Sequence, residues 1–102
     1  MENAEDEMHA VFEKAAELFA VLSTPIRLRI ISELCRGEKN VGQLHERIGV
    51  PQPNMSQHLN IMYRSGIVGK RRQGAQMFYR IADESAVAVC RAVCTQVAMD
   101  TV

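Results

Sequence analysis

The feature that most constrains this chain is a change of period. Apolar residues recur at helical spacing through the first 65 positions, give way to strand-like runs after Gly66, and return to helical spacing from Asp83. Met8, Val11, Phe12, Ala15, Leu18, Phe19 and Leu22 line one side of a helix over about 4–22, with Glu13, Lys14 and Glu17 opposite. Glu2, Glu5, Asp6 and Glu7 suit the positive end of that helix. Ser23-Thr24-Pro25 ends it and starts the next, with Thr24 as N-cap and Pro25 where a missing N–H costs nothing. The second helix runs to about Arg36, with Ile26, Ile30, Ile31 and Leu34 inward and Gly37 ending it. A short helix follows over about Val41–Ile48, closed by Gly49. The tight Val50-Pro51-Gln52-Pro53 turn then leads into a fourth helix reaching about Ser65. Two short helices across such a turn read as a helix-turn-helix over about 41–65.

Ile67–Arg72 and Gln76–Ile81 read as the strands of a β-hairpin, with Gly74 at positive φ in the turn. Asp83 caps a last helix to about Val97, striped by Ala86, Val89, Cys90, Val93, Cys94 and Val97. The order is that of a winged helix: mainly α with a β-hairpin wing over about 67–81, plus an extra helix at each end. At 102 residues the chain reads as one domain, and a domain this short gains stability by oligomerising.

Charge is sorted along the chain. Twelve basic and twelve acidic residues cancel, yet no Asp or Glu occurs from Arg47 to Ala82, while Arg47, Arg64, Lys70, Arg71, Arg72 and Arg80 all fall there. One basic segment between two acidic ones points to a polyanion-binding surface. Lys and Arg also protect edge strands from aggregation, but that alone does not account for 36 residues without a carboxylate. The absence of Trp and the few aromatics argue against a stacking platform for single strands. Catalysis has no motif to stand on: there is no Ser/His/Asp ordering, phosphate loop or clustered carboxylate pair. There is no apolar run of membrane-spanning length and no signal peptide, so a cytoplasmic protein is expected.

Leu22-Ser23-Thr24-Pro25-Ile26-Arg27-Leu28 resembles the L-S-x-P-x-R-L signature of a known family. Val41-Gly42-Gln43-Leu44, Ser56-Gln57-His58-Leu59 and Arg64-Ser65-Gly66-Ile67-Val68 follow at the expected intervals, and Arg72-Gln73-Gly74 with Phe78-Tyr79-Arg80-Ile81 resembles the wing. Over about residues 15–97 the chain resembles the ArsR/SmtB family of small bacterial repressors. The resemblance implies a homodimer on double-stranded DNA, with the first and last helices at the dimer interface and an inducer that releases the operator. Two-fold symmetry then predicts an inverted-repeat operator with half-sites about one helical turn apart.

The fourth helix is the candidate recognition helix. Gln52, Asn54, Ser56 and Gln57 lie off its Met55–Leu59–Met62 face, and Gln and Asn pair bidentately with adenine. The family's contact positions map best to Gln52, Ser56 and Gln57, while Pro51 and Pro53 depart from the hydroxyl residues usual there. His58 reads either as a further contact or as a packing residue with one fixed tautomer. Arg64, Lys70, Arg71 and Arg72 complete the candidate DNA-binding set.

Among the family's sensor sites, the zinc type in the last helix is absent because no His follows residue 58. The cysteine pair of the arsenic or cadmium type is absent because Val41–Leu44 holds no Cys. Cys35, Cys90 and Cys94 remain as inducer-sensing candidates. Cys90 and Cys94 are four apart on one helix face, and thiolates take soft metal(loid)s or are modified by sulfane sulfur or oxidants. Family members that sense sulfane sulfur pair a helix-two cysteine with one in the last helix; those positions align here with Ser32 and near Ala98, so that dithiol does not carry over residue for residue. The same cysteines also read as small packing hydrophobes, with Cys35 finishing the core of helix two. Beside the repressor stand two other readings: a metal-carrying thiol protein, and a winged-helix protein–protein module, because fold alone does not fix function.

Overall fold

A computed structural model describes residues 3–101; Glu2, counted above among the acids at the first helix end, lies outside them. The elements run α1 (Ala4–Val21), α2 (Pro25–Leu34), β1 (Lys39–Asn40), α3 (Val41–Ile48), α4 (Gln52–Arg64), β2 (Val68–Gln73), β3 (Gln76–Ile81) and α5 (Glu84–Thr101). Local chemistry sets most boundaries. Asn3 caps α1 by accepting from the Asp6 N–H at 2.9 Å. Thr24 caps α2 by accepting from the Arg27 N–H at 3.2 Å. Asn40 and Gln43 form a reciprocal capping box at the start of α3. Gly49 closes α3 in the left-handed region at φ 86°, a conformation costly for a residue with a Cβ. Asp83 accepts from the Ser85 N–H at 2.9 Å and starts α5, which runs one turn beyond the expected end near Val97.

The three strands form one antiparallel sheet in the order β1-β3-β2. The hairpin pairs Val68 with Ile81 through to Gln73 with Gln76, and Gly74 turns it at φ 63°. The two-residue strand β1, not foreseen from sequence, places Lys39 opposite Tyr79 and Asn40 opposite Phe78. It joins the base of the wing to the start of α3.

The core is built from Ile30, Ile31 and Leu34 of α2, Leu44 and Ile48 of α3, and Met55, Leu59 and Met62 of α4. Ile67, Val68 and Tyr79 of the wing base and Ala86, Val87 and Cys90 of α5 complete it, with Leu22. Helix α1 contributes no buried residue; Leu18 and Val21 near its C-terminal end pack at the margin. Its apolar stripe stays open to solvent at Met8, Val11, Phe12 and Phe19, as do Val93, Val97 and Met99 on α5. Single exposed apolar residues are ordinary on a protein surface, but here each terminal helix carries a stripe of them.

Candidate nucleic-acid interface and thiol site

Helix α4 is fixed by its apolar face. Met55, Leu59 and Met62 are fully buried, so the helix cannot rotate without opening the core. Gln52, Asn54, Ser56 and Gln57 are consequently all exposed, while His58 is half-buried. The turn before α4 is pinned by a short hydrogen bond between His45 Nδ1 and the Val50 carbonyl. Because a carbonyl can only accept, Nδ1 carries the proton. Pro51 occupies the N-cap of α4 and supplies no side-chain cap, so the amides of Gln52 and Asn54 face outward without a capping side chain. Such amides favour an anion.

The wing distributes its cations by strand alternation. Lys70 and Arg72 share the hairpin side of core residues Val68 and Tyr79, which faces α4, and Lys70 Nζ sits 4.2 Å from the centroid of the Tyr63 ring. Arg71 points to the other side, with Phe78 and Arg80. There the Glu38 carboxylate takes two prongs of its guanidinium, Nε at 2.9 Å and Nη2 at 2.6 Å, and Gln73 takes Nη1 at 2.9 Å. The group also lies 5.0 Å from the Phe78 centroid. The Arg71 hydrogen bond holds the Glu38 carboxyl below the usual carboxylate range.

Arg47 is likewise engaged, donating from Nε to Glu33 at 3.1 Å and lowering the pKa of that carboxyl. Acids from outside the basic segment thus fold back onto two of its six cations. Among the described residues, Arg64, Lys70, Arg72 and Arg80 have no carboxylate at ion-pair distance. The guanidinium of Arg80 packs over Gly69, where an added Cβ would come within 2.7 Å of its central carbon. Glu33, Glu38 and Tyr63 were invisible as partners in the sequence, since they act across the fold, whereas Gln73 is two residues from Arg71 on the same strand.

His58 has a partner that sequence does not reveal. Its Nδ1 accepts from Arg27 Nε at 3.2 Å, and burial followed by the Arg27 charge lowers its pKa below 6.5.

The cysteines converge from two helices. Cys90 is buried and Cys94 exposed, with their Sγ atoms 3.8 Å apart. Cys35, at the C-cap of α2, is exposed and not part of the core, contrary to a packing role there. All three line one open cavity of about 260 Å³, together with Leu28, Ile31, Ser32, Val87, Arg91 and Thr95. Burial, then the hydrogen bond and charge of Cys94, push the Cys90 thiol up to about 11. At neutral pH Cys90 is therefore a thiol. Among the described residues no three His, Cys, Asp or Glu side chains are grouped to hold a metal ion, and no helix is long and apolar enough to cross a membrane.

Comparison with known proteins accords with this geometry. The sequence model described as bacterial regulatory protein, arsR family, matches residues 24–70. The biofilm growth-associated repressor of Xylella fastidiosa (strain Temecula1) is 38% identical over 95 residues, covering 89% of this chain and 83% of the relative. The crystal structure of the transcriptional repressor BigR from Xylella fastidiosa superposes with a TM-score of 0.80 at 36% identity, over 91% of this chain and 95% of that one. The solution structure of a homodimeric winged helix-turn-helix DNA-binding domain from Mycobacterium bovis gives a TM-score of 0.79 at 27% identity, over 100% of this chain and 94% of that one. The signature around Pro25, the helix-turn-helix over α3 and α4 and the wing together make this chain a member of the ArsR family of bacterial regulatory proteins, with the winged helix-turn-helix fold.

Proposed function

We propose that the protein is a homodimeric transcriptional repressor of the cytoplasm, bound to an inverted-repeat operator and released by a thiol-directed inducer. The observation that carries the DNA half is the surface of α4. Its inner face is locked in the core, its outer face offers Gln52, Asn54, Ser56 and Gln57, and its N-terminus is uncapped beside a wing whose Lys70 and Arg72 have no carboxylate at ion-pair distance among the described residues. Amide and hydroxyl side chains read base edges, while Arg64, Lys70 and Arg72 meet phosphate. Arg71 serves the wing first, through Glu38, and reaches phosphate by exchanging that partner.

The open apolar stripes of α1 and α5 support the dimer, as does the homodimeric relative from Mycobacterium bovis. The 3.8 Å Cys90–Cys94 pair opening onto a cavity supports the inducer site. In it the exposed Cys94 takes the incoming group and buried Cys90 is its second ligand or resolving thiol, with Cys35 of α2 lining the same cavity. Sulfane sulfur, an oxidant or a soft metal(loid) would suit that chemistry. Modification at α5 alters the dimer interface and moves the two recognition helices out of step with their half-sites.

The test is selection of duplexes from a random pool by the reduced protein, followed by exposure to polysulfide, arsenite or zinc with intact-mass readout. Recovery of an inverted repeat, and its release as mass is gained at Cys94 or Cys90, is expected. Failure to enrich any duplex removes the DNA half. A Cys90→Ser, Cys94→Ser double variant that still releases DNA with inducer removes the sensor half.

A further inference from the structure

One guanidinium joins three helices. Arg27 lies in the first turn of α2, its backbone N–H held by Thr24 Oγ1 at 3.2 Å. Its side chain forks: Nε donates to His58 Nδ1 in the middle of α4, and Nη1 donates to the carbonyl of Val21, the last residue of α1, each at 3.2 Å. The Val21 carbonyl is an orphan acceptor at a helix C-terminus, where a cation is favoured. Arg27 is half-buried, and among the described residues no carboxylate lies at ion-pair distance from it. Its acceptors are neutral, and a fixed planar fork is needed to reach both. We infer that Arg27 is a positioning residue for DNA recognition, fixing α4 against the end of the dimerisation helix α1 through the neutral ring of His58. The inference rests on the DNA-binding reading and adds to it a route from the interface to the recognition helix.

The chemistry gives this contact a signature that plain packing lacks. Because Nδ1 accepts, His58 is neutral with its proton on Nε2. Protonation turns the acceptor into a donor and sets two cations against each other, so the bond to Arg27 is lost. Arg27, from α2, is the charged group acting on His58, and among the described residues no carboxylate offsets it. The native pKa is lowered from 6.5, so the contact is whole above that value and fails as pH falls through the native pKa below it. DNA affinity should fall with it. General electrostatics has the opposite sign, since protonating any histidine of a polyanion binder strengthens binding. A His58 that met phosphate directly would also bind more tightly in acid. His45 does not imitate the effect, because its Nδ1–H already donates to Val50 and still does so when the ring is charged. His9 faces Glu13 on exposed α1, where protonation adds attraction.

The experiment is fluorescence anisotropy with a labelled duplex selected by the wild type at pH 7.5, read at that pH and in acid at one ionic strength, with the ring NMR signals of His58 reporting when it has protonated. Wild-type affinity should drop about tenfold between the two states, the scale of one hydrogen bond to a charged group. His58→Asn keeps an acceptor near the place of Nδ1 that does not protonate. It should abolish the loss of affinity in acid and bind more tightly at pH 7.5 than His58→Leu, which lacks an acceptor at either pH. Circular dichroism melts confirm that both variants fold. Wild-type binding that is unchanged or tighter once His58 has protonated, or a His58→Asn variant that keeps the full loss of affinity in acid, overturns the inference. A wild type that binds no duplex overturns the DNA-binding reading and this inference with it, a result distinct from pH-independent binding.

Discussion

Replacing Phe12 with alanine tests the dimer where its energy should be concentrated. Phe12 sits on the open stripe of α1 and is 62% exposed in the protomer. A phenylalanine has about 200 Å² to bury, so covering it in a dimer removes about 120 Å² from water. At about 25 cal/mol per Å² that is about 3 kcal/mol per side chain, and about 6 kcal/mol for the symmetric pair. Incomplete cover and the ordering of interface side chains reduce the yield, and halving it leaves about 3 kcal/mol. The dimer dissociation constant should rise more than a hundredfold. Sedimentation equilibrium over a wide concentration range reads this directly. The protomer should stay folded, because Phe12 belongs to none of its core. A Phe12→Ala protein that dimerises as tightly as the wild type would refute the assignment of this stripe to the interface.

Other expectations follow from the same contacts. Leu59→Ala removes a fully buried side chain between α4 and the core and should cost about 3 kcal/mol in a denaturant melt, with DNA binding lost in proportion to unfolding. Arg72→Ala should make the salt dependence of DNA binding shallower by about 1.8 in log–log slope for a dimer, one phosphate per protomer, and Arg71→Ala by less, because Glu38 already neutralises that residue. With iodoacetamide at pH 7.5, peptide mapping should find Cys94 and Cys35 labelled well before Cys90, whose thiol is buried and pushed up to about 11. Asp83→Ala should cost about 1 kcal/mol through loss of the α5 cap. The hydrogen bonds of Ser85 hold the Asp83 carboxyl below 3.8, so its contribution is present above that value and disappears as acid titrates through the lower native pKa; the wild-type and variant melts should therefore converge in strong acid.

The elements were legible because their punctuation is local. Thr24-Pro25, Gly49, Gly66 and Asp83 each act within a turn of the chain, and the change of period after Gly66 separates helix from hairpin without any tertiary information. Strand β1 was not legible, because two residues carry no period; it exists through pairing with Tyr79 and Phe78 far along the chain. The Asn40–Gln43 capping box is local, its two members three residues apart in the chain. The outward set Gln52, Asn54, Ser56 and Gln57 followed from helical spacing against Met55, Leu59 and Met62, and the structure exposes all four. The neutralisation of Arg71 by Glu38 and of Arg47 by Glu33 could not be read, because the partners are 33 and 14 residues apart. Counting charge along a chain records composition, whereas the field at a surface depends on which acids fold back over it. The same holds for His58, whose partner Arg27 is 31 residues away.

The most direct measurement of the central claim is the salt dependence of wild-type binding to its selected duplex, from about 50 to 300 mM. Three cations per protomer that have no carboxylate at ion-pair distance among the described residues, Arg64, Lys70 and Arg72, make six per dimer. With half to all of them on phosphate, the log–log slope should lie between about −2.7 and −5.4. A slope shallower than about −1, or affinity that ignores salt, would mean that the basic segment does not hold DNA and would contradict the account.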